Sequence, residues 1–304
     1  MSALGYYPGC SLAGGGIELD LSVRALCRAA GVPLREIDDW NCCGATAAHA
    51  LNHELAVALP LRVLALAAQQ GLTEVLAPCA ACFSRLKGTR ARLVRSPELK
   101  KRAEEVAGCS FDPAVSVLNV VEFVNRVLEQ GLRERLTRPL SGLRVAPYYG
   151  CLLSRGEGII EGEDPENPGG MSSALAAAGC EVVPWNFATE CCGGGFSLSL
   201  KEAVVELSAA VLADAHECGA ETLVTGCPMC HSNLDMRQLA VEAAGKGRGG
   251  LPVLYLSQVV GLAAGVAPKD LGLDRHYVDA LPVAARAQEV VATAASAAAG
   301  PSHG

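Results

Sequence analysis

Ten of the 14 cysteines in this 304-residue chain fall into one five-cysteine pattern that occurs twice. The first set is Cys10, the adjacent pair Cys42–Cys43, then Cys79 and Cys82; the second is Cys151, the pair Cys191–Cys192, then Cys227 and Cys230. The gap before the pair is 31 residues in the first set and 39 in the second, and the gap after it is 35 and 34. Both sets close with C-x-x-C, and glycine follows each pair (Gly44, Gly193). Soft sulfur ligands gathered in this way select iron–sulfur clusters or zinc, not hard cations. Four cysteines suffice for a cubane, commonly closely spaced in sequence. Five, two of them adjacent, suit a more open cluster in which one thiolate bridges two irons. Four of the five would also satisfy tetrahedral zinc, so zinc in one of the two sites stays open.

Other residues near these motifs carry weaker signals. Cys27, Cys109, Cys180 and Cys218 read as small core residues. His231, directly after the second C-x-x-C, could donate to a cluster sulfur or protonate a leaving thiolate; a satisfied structural histidine is an equal reading. His49 either lines the first site or lies on a helix surface, the latter being the safer reading, and His53, His216 and His303 read as surface residues. Gly193-Gly194-Gly195 is followed by no G-K-[ST] phosphate-loop signature, so room for backbone to approach a bulky cluster explains it better. The acidic stretch Glu157 to Gly170 reads as a surface connection, with a lid or docking loop as the sharper alternative.

The elements that must position the cysteines repeat as well. In each half an apolar strand leads to the first cysteine (Leu4 to Tyr7; Leu143 to Tyr149). A helix ending in Ala-Gly follows (Leu19 to Ala30; Met171 to Ala178), then a strand toward the pair (Val32 to Ile37; Cys180 to Trp185). The longest helices come next, His53 to Gln70 and Lys201 to Cys218, then a strand into C-x-x-C, then another strand and helix (Val115 to Leu128; Val253 to Ala264). This alternation predicts two similar α/β lobes with mainly parallel sheets, and cysteines at the strand carboxyl ends. The expected division is 1–140, 141–283 and a flexible Ala/Ser/Gly-rich tail at 284–304. Arg133 to Leu143 reads as the linker and Arg90 to Val106 as a charged, solvated helical insertion.

Composition excludes several classes. The net charge is −7, with no basic stripe, which argues against nucleic acid. The start, MSALGYYPGC, lacks a secretory pattern, so a reducing cytoplasmic location is expected. Leu55 to Ala68 is short and holds Pro60 and Arg62, and Leu251 to Val266 is interrupted by Pro252, Gly261 and Gly265, so neither reads as a membrane span. No G-x-G-x-x-G in strand–helix context and no ferredoxin-like C-x-x-C-x-x-C run occurs, so electrons must be exchanged through a partner.

The stretches YYPGCSL at Tyr6, DWNCCGATAAH at Asp39, APCAAC at Ala77, YYGCLLSR at Tyr148, CCGGG at Cys191 and GCPMCH at Gly226 resemble the double Cys-Cys-Gly domain of the heterodisulfide reductase B-subunit family, from about Met1 to Asp274. The resemblance implies two non-cubane [4Fe–4S] clusters, one per five-cysteine set, in a two-lobed oxidoreductase. In methanogens that protein reduces the mixed disulfide of coenzymes M and B; the alanine- and arginine-rich composition here reads as bacterial. By the same resemblance the chain would act on a disulfide or sulfur-carrier substrate, with Cys43, Cys192 and His231 as catalytic candidates. A ferredoxin-like iron–sulfur subunit and a flavin-containing subunit would be its partners. The alternative is an electron-transfer subunit with no substrate of its own, as in lactate, glycolate or succinate-dehydrogenase-type complexes.

Overall fold

The computed structural model describes residues 3–155 and 163–285. The first half runs β1 (Leu4–Tyr6), α1 (Gly9–Leu12), α2 (Ile17–Ala30), β2 (Leu34–Glu36), α3 (Ala47–Leu51), α4 (Leu55–Gln69), β3 (Glu74–Leu76), α5 (Ala80–Arg95), α6 (Pro97–Ala107), β4 (Ser116–Leu118) and α7 (Val120–Val127). The second runs β5 (Arg144–Tyr148), α8 (Gly150–Ser154), α9 (Gly170–Ala177), β6 (Glu181–Val182), α10 (Lys201–Glu217), β7 (Thr222–Thr225), α11 (Pro228–Met236), α12 (Gln238–Ala243), β8 (Val253–Tyr255) and α13 (Leu256–Ala263).

Each half builds one four-stranded parallel sheet, ordered β2-β1-β3-β4 and β6-β5-β7-β8. In this order the chain leaves β1 (or β5) toward one edge and later returns to its other side, so the crossovers diverge between β1 and β3, and between β5 and β7. The crevice opened at such a switch point, beyond the strand carboxyl ends, is where open α/β sheets hold their ligands. The strands are short, and their middle members are buried except for Glu74 and Arg144 at the starts of β3 and β5, as expected for sheets covered on both faces.

The helices begin and stop where local chemistry directs. Gly31 ends α2 with a left-handed φ of 72°, after Glu18 and Asp20 in the first turn have met the positive end of the helix dipole. Ser96 Oγ accepts from Leu99 N to start α6, and Pro97 occupies its first position. Asn119 and Glu122 cap α7 reciprocally.

One expectation is revised. Arg90 to Val106 is no insertion: it spans the end of α5, a break at Ser96 and α6, which packs on α4 as α12 packs on α10 in the second half. The linker is pinned. Arg135 donates to the Ala29 and Ala30 carbonyls at the end of α2, and the amides of Arg138 and Leu140 donate to Ala263 and Ala178. The buried apolar side chains form one continuous core through both halves. Of the tail, Ala284 is buried, while residues 286–304 lie outside the described residues, as do 157–162 of the acidic stretch.

The halves meet through helices. α2 packs on α13, α9 packs on α7, and α7 and α13 touch each other. At the first contact Ser22 Oγ lies 2.7 Å from Ser257 Oγ, fully buried. At the second, a Cβ on Gly170 would stand 3.2 Å from Val121 Cγ1. Near the cysteines the approach is closer still: a Cβ on Gly16 would lie 2.8 Å from Pro228 Cβ, and one on Gly226 would lie 2.9 Å from Val120 Cγ1.

Leu19 and Leu26, three and four residues either side of Ser22, lie on its stripe of α2 and are fully buried. Leu26→Ala should cost about 2–5 kcal/mol. Because the core is shared, the loss should appear in denaturant titration as one earlier transition for the whole chain, not as separate unfolding of the first half.

Candidate metal centre

Each five-cysteine set is assembled from three turns at the carboxyl edge of its sheet. Cys10 stands in α1 just beyond β1, Cys42–Cys43 follow β2, Cys79 is the residue before α5, and Cys82 lies in that helix's first turn. Cys151, Cys191–Cys192, Cys227 and Cys230 repeat this beyond β5, β6 and β7.

Two devices recur and explain the residues around the cysteines. The tyrosine three before each first cysteine ties down the turn carrying the pair: Tyr7 Oη donates to the Asn41 carbonyl at 2.8 Å and Tyr148 Oη to the Glu190 carbonyl at 2.6 Å. Trp40 packs edge-on to Tyr7 and Trp185 against Tyr148. The second device is glycine. Gly9 and Gly150 have φ of 64° and 61°, and a Cβ there would come within 2.9 Å of Cys82 Sγ and 3.1 Å of Cys230 Sγ. Gly44 and Gly193 turn the chain away after the pair, and their N–H groups donate to Cys42 Sγ and Cys191 Sγ, both at 3.4 Å. The Gly193 turn leaves room for Leu207 and Val204 of α10 rather than for a cluster, while Gly194 does lie against Cys192 Sγ.

The sulfurs come together as expected. Cys43 Sγ lies 3.4 Å from Cys82 Sγ, Cys192 Sγ 3.4 Å from Cys230 Sγ, and Cys151 Sγ 3.7 Å from Cys191 Sγ. All ten are free thiols. Exposure falls along each set: Cys10 and Cys42 are exposed and Cys151 and Cys191 half-buried, whereas Cys43, Cys79, Cys82, Cys192, Cys227 and Cys230 are buried. The innermost members, Cys79 and Cys227, are neighbours across the boundary and shift each other's ionisation.

The electrostatics repeat too. Cys82 holds the Cys43 thiol below its usual range, with the Ala45 amide and Arg85 helping. Cys230 does the same for Cys192, with the Gly194 amide and Asn233, bringing it to about 7. Cys82 and Cys230, as the donors, are pushed well above the usual range. Cys227, and then Cys82, hold Cys79 well down, against its burial. Cys230 pulls Cys227 down, but Cys79 and burial outweigh it and leave that thiol raised. One thiolate is thus stabilised by protons left on its neighbours. All five can ionise only with a positive group among them, which an iron–sulfur core supplies, releasing protons as it binds. The donor set fits that cofactor.

His231 is placed differently from the catalytic expectation. It is buried, its Nε2 donates to the Val253 carbonyl at 2.9 Å, and burial brings its pKa down to about 3, so the ring is neutral. Its carbonyl bond serves β8, not a sulfur. His276, which carries no motif in the sequence, stands edge-on to it with Nδ1 3.3 Å from His231 Nε2, while Gln258 Nε2 donates to His276 Nε2. Asp235, raised to about 6 by burial, accepts from the Tyr277 and Val278 amides. Ligand atoms of His231, Asp235 and His276 lie within 4.8 Å of one another, but these hydrogen bonds occupy them.

His49 and His53 are exposed, as the surface reading expects; His216 is half-buried beside Arg248, and His303 lies outside the described residues. Cys27 and Cys180 are core thiols, each raised to about 12 by burial, and Cys109 and Cys218 pack half-buried against the core. Arg85 and Asn233 were missed, although each lies three residues after its closing cysteine and so on the same helix face. A cavity of about 570 Å³ opens between the halves, lined by Ser11 and Gly16 on one side and Ser197, Met229, Asn233 and Arg237 on the other.

Gly9→Ala and Gly150→Ala should each remove the metal of one half and spare the other, halving the iron bound per chain. Gly31→Ala, with a similar φ and open space around it, should leave the metal content unchanged.

The CCG cysteine-rich domain is matched at residues 4–87 and again at 145–235. The chain is 32% identical over 276 residues to the 8-methylmenaquinol:fumarate reductase membrane anchor subunit of Wolinella succinogenes, covering 90% of this chain and 96% of that one. It is 25% identical to the B-subunit of the ferredoxin/F420H2-dependent CoB-CoM heterodisulfide reductase of Methanosarcina acetivorans, covering 96% of this chain and 99% of that one. Among the described residues no helix is long and apolar enough to cross a membrane. A hypothetical protein of Helicobacter pylori, known from a crystal structure, shares the fold with a TM-score of 0.74 at 13% identity. That match covers 91% of this chain, which spans 52% of the other. The chain belongs to the CCG cysteine-rich domain family, whose domain it carries twice, as a homologue of the heterodisulfide reductase B-subunit.

Proposed function

We infer that the chain is the iron–sulfur subunit of a reductase complex and that it holds two non-cubane [4Fe–4S] clusters. Cys10, Cys42, Cys43, Cys79 and Cys82 would hold one, and Cys151, Cys191, Cys192, Cys227 and Cys230 the other. Its reaction, on this reading, is the two-electron reduction of a disulfide or related sulfur substrate, or the reverse. The supporting observation is the neighbouring of Cys79 and Cys227, one from each set, where the halves meet.

Splitting R–S–S–R′ takes two electrons and two protons and yields two thiols. When bound, the two clusters would supply one electron each. The chain's own work is to hold two five-cysteine sets at a fixed separation, inner ends together and outer ends at the surface. The exposed Cys10 and Cys42 and the half-buried Cys151 and Cys191 mark where a ferredoxin-like partner, fed by a flavin-containing subunit, would pass electrons. Substrate would occupy the cavity between the halves, where Arg237 offers a positive charge and Asn233, Ser11 and Ser197 offer polar groups. Its walls come from the loop after Cys10, the loop after Cys192 and α11.

A second reading is favoured by the fumarate reductase relative. There the two sets would form a relay that hands electrons on and binds no substrate.

Anaerobically purified protein should contain about eight irons per chain, from two four-iron clusters. Iron near four with stoichiometric zinc would instead assign one half to zinc. Cys43→Ser and Cys192→Ser should each abolish disulfide turnover in the reconstituted complex and alter the EPR signal of one half; retained turnover in both variants overturns the catalytic reading. Reducible clusters whose spectra ignore added thiols and disulfides would establish the relay.

A further inference from the structure

The buried tyrosines of this chain are, with one exception, tied by their hydroxyls. Tyr6 donates to Asp20 and Tyr7 and Tyr148 donate to carbonyls, while Tyr149 accepts from the Met171 amide. Tyr255 is the exception. It is completely buried, yet among the described residues its Oη has no hydrogen-bond partner. A buried hydroxyl left unpaired is costly and requires a reason.

Its position supplies one. Tyr255 ends β8 in register with Thr225, two residues before Cys227, so it stands at the same sheet edge as the second set. Its ring stacks on His231 at 4.3 Å and 17°, with His276 edge-on, so the neutral histidine pair fixes the direction of the phenol. The groups acting on the hydroxyl after burial are Glu18, Cys227, Cys79 and Asp235, all acceptors or thiols, and burial keeps the phenol protonated. A donor is therefore held ready beside the place where the two sets meet.

The duplication sharpens the point. The matching residue of the first half is Asn119, whose side chain is consumed in capping α7, and the residue matching His231 is the apolar Phe83. In the second half Gln258 accepts from the Tyr255 amide as Glu122 does from that of Asn119, but the Tyr255 hydroxyl makes no capping bond.

We propose that the Tyr255 hydroxyl donates a hydrogen bond to sulfur at the Cys227–Cys79 junction of the metal-loaded protein and thereby makes the two centres unequal. It acts as a positioning and tuning residue. Donation to sulfur stabilises the more negative, reduced state, more so in a dry interior, and raises the reduction potential of the centre that receives it. Tyr255 closes the strand paired with β7, which leads into Cys227, so the second half's centre should be the more easily reduced one.

The inference rests on the iron–sulfur reading, and the two fail differently: absence of iron from the wild-type protein refutes that reading, whereas this one is judged at full iron content. Tyr255→Phe removes one oxygen and keeps the ring stack. In an EPR-monitored redox titration it should leave one centre about tenfold less reduced at a given potential, equal to 59 mV for a one-electron step. The metal-free variant should melt higher, because an unpaired hydroxyl has been removed. Site-specific 3-fluorotyrosine at 255, a stronger donor of nearly the same shape, should move the same centre the opposite way; it decides the matter alone if the phenylalanine variant does not load iron. Unshifted midpoints at full iron overturn the proposal.

Discussion

Six buried thiols cannot all ionise in a poorly polarisable interior unless something positive lies among them, and the surroundings of the sites follow from that constraint. Within each set one sulfur favours the thiolate through its neighbour: Cys82 holds the Cys43 thiol down and Cys230 holds the Cys192 thiol down. This needs sulfurs 3.4 Å apart, hence glycine at positions 9 and 150, where any side chain would occupy the sulfur's space. It also needs the turn carrying the pair to stand still, hence a tyrosine tethered to the carbonyl just before it. The sheet order then does the long-range work. Diverging crossovers open one crevice, and three consecutive turns bring into it residues that lie more than thirty positions apart in sequence.

Much of this was legible in the sequence because duplication compares the chain with itself. Features present in both halves, namely five cysteines, glycine after the pair, Tyr-Tyr before the first cysteine and strand before C-x-x-C, stand out against unconstrained sequence. The two parallel sheets, their order of elements and the convergence of the sulfurs follow. Where the halves differ in length the comparison failed: α6 looked like an insertion because α12, its counterpart, is about half as long. Boundaries shifted by one to three residues for an ordinary reason, since strands of two to five residues end where the ladder ends and not where the apolar run does.

What stayed invisible was relation between the halves. No local pattern says that α2 lies on α13, that Cys79 faces Cys227, or that the histidine after the last cysteine turns its proton to a strand carbonyl. His276 lies 46 residues beyond Cys230, in a segment with no counterpart in the first half, and joins the buried polar group only through tertiary packing. Tyr255 was hidden more deeply. Its sequence setting, an aromatic residue closing an apolar strand, is that of an ordinary core residue, and only the unpaired hydroxyl separates it from one.

The paired helix contacts, Ser22 on Ser257 and Gly170 on Val121, join matching helices of the two halves, α2 to α13 and α9 to α7, as the two sides of an interface between identical subunits would. Two identical chains joined this way would be obliged to repeat every residue on both sides, so that any change improving one centre would be imposed on the other. A single polypeptide carries no such obligation. One contact is made by two serine hydroxyls, the other by glycine against valine with Asn125 donating to the Gly170 carbonyl; one strand end carries tyrosine and the other asparagine, so matched elements surround two five-cysteine sets that are not alike.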